Sequence, residues 1–194
     1  MSKVRFAIEE LKFVKSRQDA VNLYEKFIYL LPRVMGLPYH KTRVPPSLQI
    51  EPGSVCNIAC TCCSVERSTR KRGFMNVDLF QRIISQSASI GVRRIHLYLH
   101  GEPLLHPRFP EMVLNIKSRG LALHITTNGM RLDYSLIEKI TAAGLTSADH
   151  IIVSILANSS VLHEQIMKGV NHERVVRNIE ALLEHRKKLE QTDP

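Results

Sequence analysis

Four cysteines, all between Cys56 and Cys63, are the residues of this chain best suited to chemistry. Three of them, Cys56, Cys60 and Cys63, have the spacing C-x3-C-x2-C. Clustered thiolates are soft ligands that select iron–sulfur clusters, zinc or copper(I). Three protein ligands would leave one iron of a [4Fe–4S] cube free to bind a substrate or a cofactor. The spacing therefore favours an iron–sulfur cluster with one open coordination position.

A structural zinc site is the main alternative for these cysteines. Such a site needs four ligands, usually in two separated pairs. Cys62 is adjacent to Cys63, and neighbouring side chains rarely both turn onto one metal. His40 or His96 could complete a zinc site, although nothing in their spacing requires it. A disulfide framework is not favoured, because the chain is long enough for a hydrophobic core and its first residues lack a secretory signal.

The composition is that of a soluble globular protein of about one domain. The 194 residues are 44% hydrophobic and 23% charged, and no segment has the roughly 18 consecutive apolar residues of a membrane span. Reactive cysteines without a targeting segment favour the reducing cytoplasm. The net charge of +9 is concentrated in residues 1–50 and in a basic run after the cysteines. We interpret it as a solvated basic face, not as a nucleic-acid site, because the chain has no Trp and few aromatic residues.

The chain divides into a helical extension and a βα domain. Residues 1–47 combine a helical pattern with Pro and Gly residues that end it and form a linker. Residues 48–194 alternate strands with helices in four βα units, which predicts a parallel sheet with the helices outside. The predicted strands are Leu48–Glu51, Ile95–Leu99, Leu121–Thr126 and Ile151–Ile155, and Asn76, Pro110 and Asn171 mark the starts of three helices.

Each distinctive polar motif follows one of these strands. The cysteines follow the first strand, Gly101-Glu102-Pro103 the second and Thr127-Asn128-Gly129 the third, and Ser154 lies near the end of the fourth. In parallel βα folds the working residues lie at the C-terminal ends of the strands. The four motifs are therefore predicted to meet at one edge of the sheet.

These motifs, in this order, resemble those of the radical S-adenosylmethionine (radical SAM) superfamily over roughly residues 48–190. Residues 48–57 resemble the opening of its peptide-modifying and cofactor-maturing branch, whose members often carry a SPASM domain. The resemblance implies a partial TIM-type (β/α) barrel with a [4Fe–4S] cluster and S-adenosylmethionine as cofactors. The cysteines match the cluster motif, His100-Gly101-Glu102-Pro103 the G-E-P motif, and Ile125-Thr-Thr-Asn-Gly129 the third-strand motif.

The resemblance also implies roles for residues and partners. The three spaced cysteines would hold the cluster, and reductive cleavage of S-adenosylmethionine would give a 5′-deoxyadenosyl radical that abstracts hydrogen from an unidentified small molecule or peptide. Glu102, between Gly101 and Pro103, would accept a hydrogen bond from the amino group of S-adenosylmethionine. Asn128 and Ser154 would contact its ribose or carboxylate, the alternatives being that Asn128-Gly129 forms only a turn and that Ser154 is only a polar residue of the strand. An electron donor such as flavodoxin or ferredoxin is implied as a partner.

Two features depart from the family. Cys62 stands where the family commonly has an aromatic residue, and it is either a small hydrophobe or an oxidation-sensitive neighbour of the cluster. The chain has four βα units where the family core usually has six, which would leave the fourth strand as an exposed edge. We therefore expect a fragment, or a chain that a partner chain completes. The alternative function is a non-enzymatic iron–sulfur or partner-binding module. His96, His100 and His124 are interpreted as scaffold residues.

Overall fold

The computed structural model describes residues 44–192, so the predicted helical extension over residues 1–47 lies almost wholly outside the described part and stays a prediction. The described residues form strands and helices that alternate along the chain. The strands are β1 (Ser47–Ile50), β2 (Ala59–Cys60), β3 (Arg94–Leu97), β4 (Ala122–Thr127), β5 (His150–Val153) and β6 (Met167–Lys168). The helices are α1 (Val77–Ile90), α2 (Phe109–Lys117), α3 (Tyr134–Thr141), α4 (Ser160–Ile166) and α5 (His172–Thr192), with 3-10 turns at Val65–Arg67 and Pro103–Leu105.

Four parallel strands form the main sheet, in the order β1–β3–β4–β5. Each strand therefore pairs with the next parallel strand along the chain. Because crossovers between parallel strands are right-handed, this order places the intervening helices on one side of the sheet. Sequential order with helices on one side is the arrangement of a (β/α) barrel, whereas a doubly wound sheet reverses direction. The predicted α/β class with about four βα units is confirmed.

The core lies between this sheet and its helices. Ile95 and Leu97 on β3, and Leu123 and Ile125 on β4, are fully buried and alternate with partly exposed residues. Successive side chains of a strand point to opposite faces, so these four residues define the helix-facing side, where α2 packs against β4. Burying each aliphatic side chain stabilises the fold by about 1.5–3 kcal/mol. The alternate side chains, among them His96 and His124, lie on the opposite face of the sheet.

Two residues that were predicted to begin helices cap those helices in the structure. The side chain of Asn76 accepts a hydrogen bond from the backbone N–H of Leu79 (3.0 Å), and that of Asn171 accepts one from the N–H of Arg174 (2.7 Å). Each bond satisfies a donor that the first turn of a helix leaves without an intrahelical partner. The helix starts predicted at Asn76 and Asn171 are therefore confirmed.

Three short elements were not predicted. Helix α4 is short, and β2 and β6 form an antiparallel pair of two residues each, too short to leave a periodic signal in the sequence. The main strands also begin or end one or two residues from their predicted bounds, and β5 ends at Val153 rather than at Ile155. No helix within residues 44–192 is long and apolar enough to cross a membrane.

Candidate cofactor site

The cysteines lie on the loop between β1 and α1, whose two ends are fastened together. Gly53 forms a β-bridge with Phe74. The N–H of Ser54 donates to the carbonyl of Gly73 (2.9 Å), and the N–H of Met75 donates to the carbonyl of Pro52 (2.8 Å). The loop therefore leaves the sheet and returns to α1 at a defined place. All four cysteines are free thiols, of which Cys62 is exposed and Cys56, Cys60 and Cys63 are half-buried.

The second half of the cysteine loop is held by the chain that follows α4. Cys60 pairs with Met167 across the β2–β6 ladder, and the N–H of Thr61 donates to the carbonyl of Ile166 (2.8 Å). The N–H of Cys63 donates to the carbonyl of Cys60 (3.1 Å), which turns the chain between these two thiols. The backbone at two of the three spaced cysteines is therefore set by hydrogen bonds.

Glu102 follows β3 and is held against the cysteine loop. Its N–H donates to the carbonyl of Val55 (2.8 Å), next to the first cysteine. Its side chain is 3% exposed and accepts hydrogen bonds from Thr127 Oγ1 (2.7 Å) and from the N–H groups of Leu104 (3.0 Å) and Asn128 (2.8 Å). Burial raises the pKa of Glu102, and these three hydrogen bonds only partly oppose the rise.

The carboxylate of Glu102 is able to pair with a bound cation. No Lys, Arg or His among the described residues forms an ion pair with this buried carboxylate. A carboxylate has about four acceptor positions, and three are used here. A bound ammonium group would supply both a charge partner and a further donor, and it would lower the pKa of Glu102 again.

Asn128 ties the end of β4 to the first cysteine. Its Nδ2 donates to Asn57 Oδ1 (2.9 Å) and lies 3.9 Å from Cys56 Sγ, while its Oδ1 accepts from the N–H of Met130 (3.0 Å). The amide is thus largely occupied by the cysteine loop and by its own turn. This gives Asn128 a structural connection to the thiols, and the predicted contact with S-adenosylmethionine stays a prediction.

Ser154 follows β5, next to the same edge of the sheet. Its N–H donates to the carbonyl of Thr127 (2.9 Å), directly before Asn128. The structure thus brings the cysteine loop, Glu102 and Asn128 into contact and places Ser154 beside them. Gly101 and Pro103 flank Glu102, and Pro103 begins the 3-10 turn that supplies the Leu104 N–H.

The three spaced thiols are close enough in the chain, and buried enough, for one to affect the protonation of another. Burial, and then the neighbouring thiols, raise the pKa of Cys60 to about 11, and burial is also the main cause that raises the pKa of Cys56. Such thiols become thiolates only beside a strong positive charge, which metal ions provide. The donor set of three free thiols on one fixed loop therefore fits a [4Fe–4S] cluster, which Cys56, Cys60 and Cys63 would hold.

The structure does not support the alternative of a structural zinc site. Within residues 44–192 no three His, Cys, Asp or Glu side chains are arranged to hold a single metal ion. His96 lies inside β3 and its ring packs against those of Tyr98 and His124, away from the cysteine loop at the strand ends. His40 lies outside the described residues.

His100 links the G-E-P motif to the cysteine loop from the other side. Its N–H donates to Glu51 Oε2 (3.4 Å), and its Nε2 lies 3.1 Å from Ser64 Oγ, one residue after the third spaced cysteine. Glu51 also pairs with Arg70 at 2.9 Å, which anchors the basic run that follows. The interpretation of His100 as a scaffold residue agrees with these contacts.

Two residues of the site were not singled out from the sequence. Thr127 donates to Glu102 and accepts from the N–H of Gly129 (3.0 Å), and Asn57 accepts from Asn128. Both stand inside motifs that were recognised, directly beside Asn128 and Cys56. Their position within these motifs was the signal that could have identified them as site residues. Their residue types could not, because Thr and Asn are common in turns.

Comparison with known proteins identifies the family. The Radical SAM superfamily matches residues 50–190, which is most of the chain. The chain belongs to the radical SAM superfamily. The predicted resemblance is thereby confirmed, and a [4Fe–4S] cluster and S-adenosylmethionine are the cofactors that this superfamily uses.

Several radical SAM proteins are similar to this chain. A tungsten-containing aldehyde ferredoxin oxidoreductase cofactor-modifying protein of Pyrococcus furiosus is 31% identical over 131 residues, 66% of this chain and 36% of that protein. A probable GTP 3',8-cyclase of Methanococcus maripaludis is 34% identical over 131 residues, covering 66% of this chain and 42% of the relative. This chain thus spans about two fifths of the length of these relatives.

Solved structures of radical SAM proteins share the fold. BtrN in complex with AdoMet and 2-DOIA aligns with a TM-score of 0.53 and 26% identity, covering 60% of this chain and 48% of BtrN. Streptococcus suis SuiB bound to its precursor peptide SuiA aligns with a TM-score of 0.64 and 22% identity, covering 84% of this chain and 36% of SuiB. The described βα units therefore correspond to part of a radical SAM barrel.

Proposed function

We propose that this chain is a radical SAM enzyme, or the N-terminal part of one. Cys56, Cys60 and Cys63 hold the [4Fe–4S] cluster, and Glu102 binds the amino group of S-adenosylmethionine. The observation that carries the proposal is the direct attachment of a buried carboxylate, which has no charge partner within residues 44–192, to the loop of three free thiols through the Glu102–Val55 hydrogen bond.

The bound cluster and S-adenosylmethionine would supply the chemistry, namely reductive cleavage of the C5′–S bond of S-adenosylmethionine, with release of methionine, followed by abstraction of a hydrogen atom from substrate. The residues of the chain position the cofactors. Glu102 orients the amino group, because its own carboxylate is fixed by Thr127, Leu104 and Asn128. Ser154, beside the Thr127 carbonyl, is in place to contact the ribose or carboxylate.

The substrate class, the electron donor and the compartment are proposed from the family and from the thiols. The relatives named above include a cyclase that acts on GTP and a protein crystallised with a precursor peptide, so either a small molecule or a peptide agrees with the family. A flavodoxin or ferredoxin is proposed as the electron donor. The free thiols favour a reducing compartment, and we propose the cytoplasm.

The cluster is tested by anaerobic reconstitution with iron and sulfide. We expect about four irons per chain in the wild type and in Cys62→Ala, the matched control, because Cys62 is exposed beside the spaced thiols. Cys56→Ala, Cys60→Ala and Cys63→Ala should each lose the iron. Release of 5′-deoxyadenosine after dithionite reduction with S-adenosylmethionine would establish turnover. A chain that binds one zinc and no iron would contradict the proposal.

Binding of S-adenosylmethionine is tested by replacing Glu102. We expect Glu102→Gln to keep the iron content and to weaken S-adenosylmethionine binding by roughly 10- to 150-fold, because the negative charge that strengthens the hydrogen bond to the ammonium group is lost. Glu111→Gln is the control, since Glu111 is a surface carboxylate paired with Arg108. Equal affinities of both variants would overturn the role of Glu102. Circular dichroism verifies the fold of each variant, and Glu102→Asp, which retains the charge, should recover part of the affinity.

A non-enzymatic iron–sulfur or partner-binding module is the second candidate. The chain covers about two fifths of the length of its relatives, and β5 is an edge of the described sheet. Ile152 on β5, and Ile155 and Leu156 after it, are 42–47% exposed. Such an edge is suited to pairing with further strands. If the cluster assembles but its EPR spectrum does not respond to S-adenosylmethionine, the module is favoured. Recovery of binding by added βα units, in cis or from a partner chain, would then identify a fragment.

A further inference from the structure

Three histidines occupy one layer across the main sheet. The register pairs Gln49 on β1 with His96 on β3, His96 with His124 on β4, and His124 with His150 on β5. Residues in register on parallel strands lie side by side. The imidazole layer, defined as His96, His124 and His150, therefore runs across three neighbouring strands.

The rings of this layer are close together and lie on the face of the sheet opposite the helices. The ring centroids of His96 and His124 are 4.8 Å apart, and those of His124 and His150 are 6.0 Å apart. Ile95, Leu97, Leu123 and Ile125, which precede or follow His96 and His124, are fully buried against the helices. The alternation of strand side chains thus turns the imidazoles to the other face of the sheet.

The layer has hydrogen-bonding groups that the described residues do not use. His96 Nδ1 and His124 Nε2 are buried atoms without a hydrogen-bond partner among the described residues. A buried polar atom without a partner costs about 1–3 kcal/mol. Native structures rarely retain two such atoms side by side unless another group satisfies them.

Arg94 contributes a positive charge close to the layer. Burial is the main cause that lowers the pKa of His96 and His124, which keeps both imidazoles neutral at pH 7, and Arg94 lowers both pKa values further. The carboxylates on adjoining elements are committed elsewhere. Glu51 pairs with Arg70, and Asp149 pairs with Lys117 at 2.6 Å. Gln49, the β1 residue of the same register, is neutral.

We propose that the imidazole layer binds an oxyanion, the carboxylate or phosphate group of the substrate. The layer lies below the candidate cofactor site on the same strands: His124 precedes Asn128 by four residues, or about 13 Å along β4. A substrate anchored there by its anionic end could extend toward the strand ends where the cofactors would bind. The inference deepens the proposed function by giving a substrate class, but its test needs neither cluster nor S-adenosylmethionine.

The test follows the imidazole resonances of the 15N-labelled chain by NMR during titration with inorganic phosphate or with acetate, at constant ionic strength set by sodium chloride. We expect saturable shifts of the His96 and His124 rings and a rise in both pKa values, because a bound anion favours imidazolium. Tighter binding of phosphate points to a phosphate ester, and tighter binding of acetate to a carboxylic acid. No shift, or parallel unsaturable shifts of all histidines, would overturn the proposal.

Variants give a second readout. His124→Phe keeps a ring in the sheet but removes its nitrogens, and we expect the affinity for the better anion to fall roughly tenfold or more. His185→Phe is the control, because His185 lies on α5 against Tyr134 and Thr141. Should His124→Phe not fold, His150→Phe on the exposed edge strand replaces it, with a several-fold loss expected. Unchanged affinity in a folded layer variant would contradict the site.

Discussion

At Gly101 the backbone of the G-E-P motif passes so close to Gly53 that no side chain fits between them. The φ angle of Gly101 is +89°, and a Cβ atom there would lie 2.2 Å from the Gly53 carbonyl oxygen and 2.9 Å from that of Val55. This approach is what allows the next residue, Glu102, to donate its N–H to Val55. The glycine thus joins the buried carboxylate to the cysteine loop.

Gly101→Ala should therefore cost much more stability than the same change at Gly144. Gly144 has a φ of +83° but nothing within 4 Å of its would-be Cβ, so Gly144→Ala should lose only about 1 kcal/mol for the left-handed backbone. Gly101→Ala adds a clash with backbone atoms, and we expect a loss of about 3 kcal/mol or more. Urea unfolding of both variants measures the difference. Equal losses of stability in the two variants would show that Gly101 and Gly53 can move apart without a further loss of stability.

At the scale of elements, α4, β6 and the start of α5 form a support for Cys60. His163 on α4 is fully buried, its Nδ1 lies 2.9 Å from His172 Nδ1, and its Nε2 lies 3.1 Å from Met167 Sδ. Met167 in turn pairs with Cys60. Ile58, Met167, Val170 and Val175 form a small core beside this histidine pair. A substitution of His163 should therefore affect the cysteine loop through Met167 and Cys60.

His163 should also make the stability of the chain depend on pH. Burial, and then the neighbouring His172, lower the pKa of His163 below its ordinary value of 6.5. The unfolded chain then binds the proton more readily than the folded chain does, so the stability is present above pH 6.5 and is lost as the pH falls toward the lowered pKa. We expect the free energy of unfolding to decrease from pH 7 to pH 5 more steeply in the wild type than in His163→Gln. Parallel pH profiles would contradict this assignment.

At the scale of the whole molecule, the cysteine loop connects parts of the chain that are distant in sequence. It contacts the end of β3 through Val55 and Glu102, the end of β4 through Asn57 and Asn128, and β6 through Cys60. A metal cluster held by this loop would thus link three of the βα units. Any group that binds only the folded chain stabilises it by mass action.

Cluster loading should accordingly raise the thermal midpoint of the whole described domain. A stabilisation of about 3–4 kcal/mol corresponds to roughly 5–15 °C for a domain of this size. We expect this rise in anaerobically reconstituted wild type and in Cys62→Ala, but not in Cys60→Ala, as measured by circular dichroism. If cluster loading left the thermal midpoint of α2 and the sheet unchanged, the cysteine loop would not be coupled to the rest of the domain.

The main strands and helices, and the order of the chemical motifs, could be predicted from the sequence alone. Cysteine spacing, capping residues such as Asn76 and Asn171, and the alternation of apolar runs act within a few residues, so their outcome is decided locally. The same local signals, with the rule that motifs lie at strand ends, were enough to predict the parallel βα architecture and the family.

Which side chains contact one another depends on the three-dimensional fold. The amide of Asn128 is directed to Asn57 and the first cysteine, and a two-residue ladder fixes Cys60 against Met167. Likewise, His96, His124 and His150, separate in the sequence, form one layer because of the strand register. Register and loop contacts depend on how whole faces pack against one another, and that packing balances many distant residues at once, which no local pattern records.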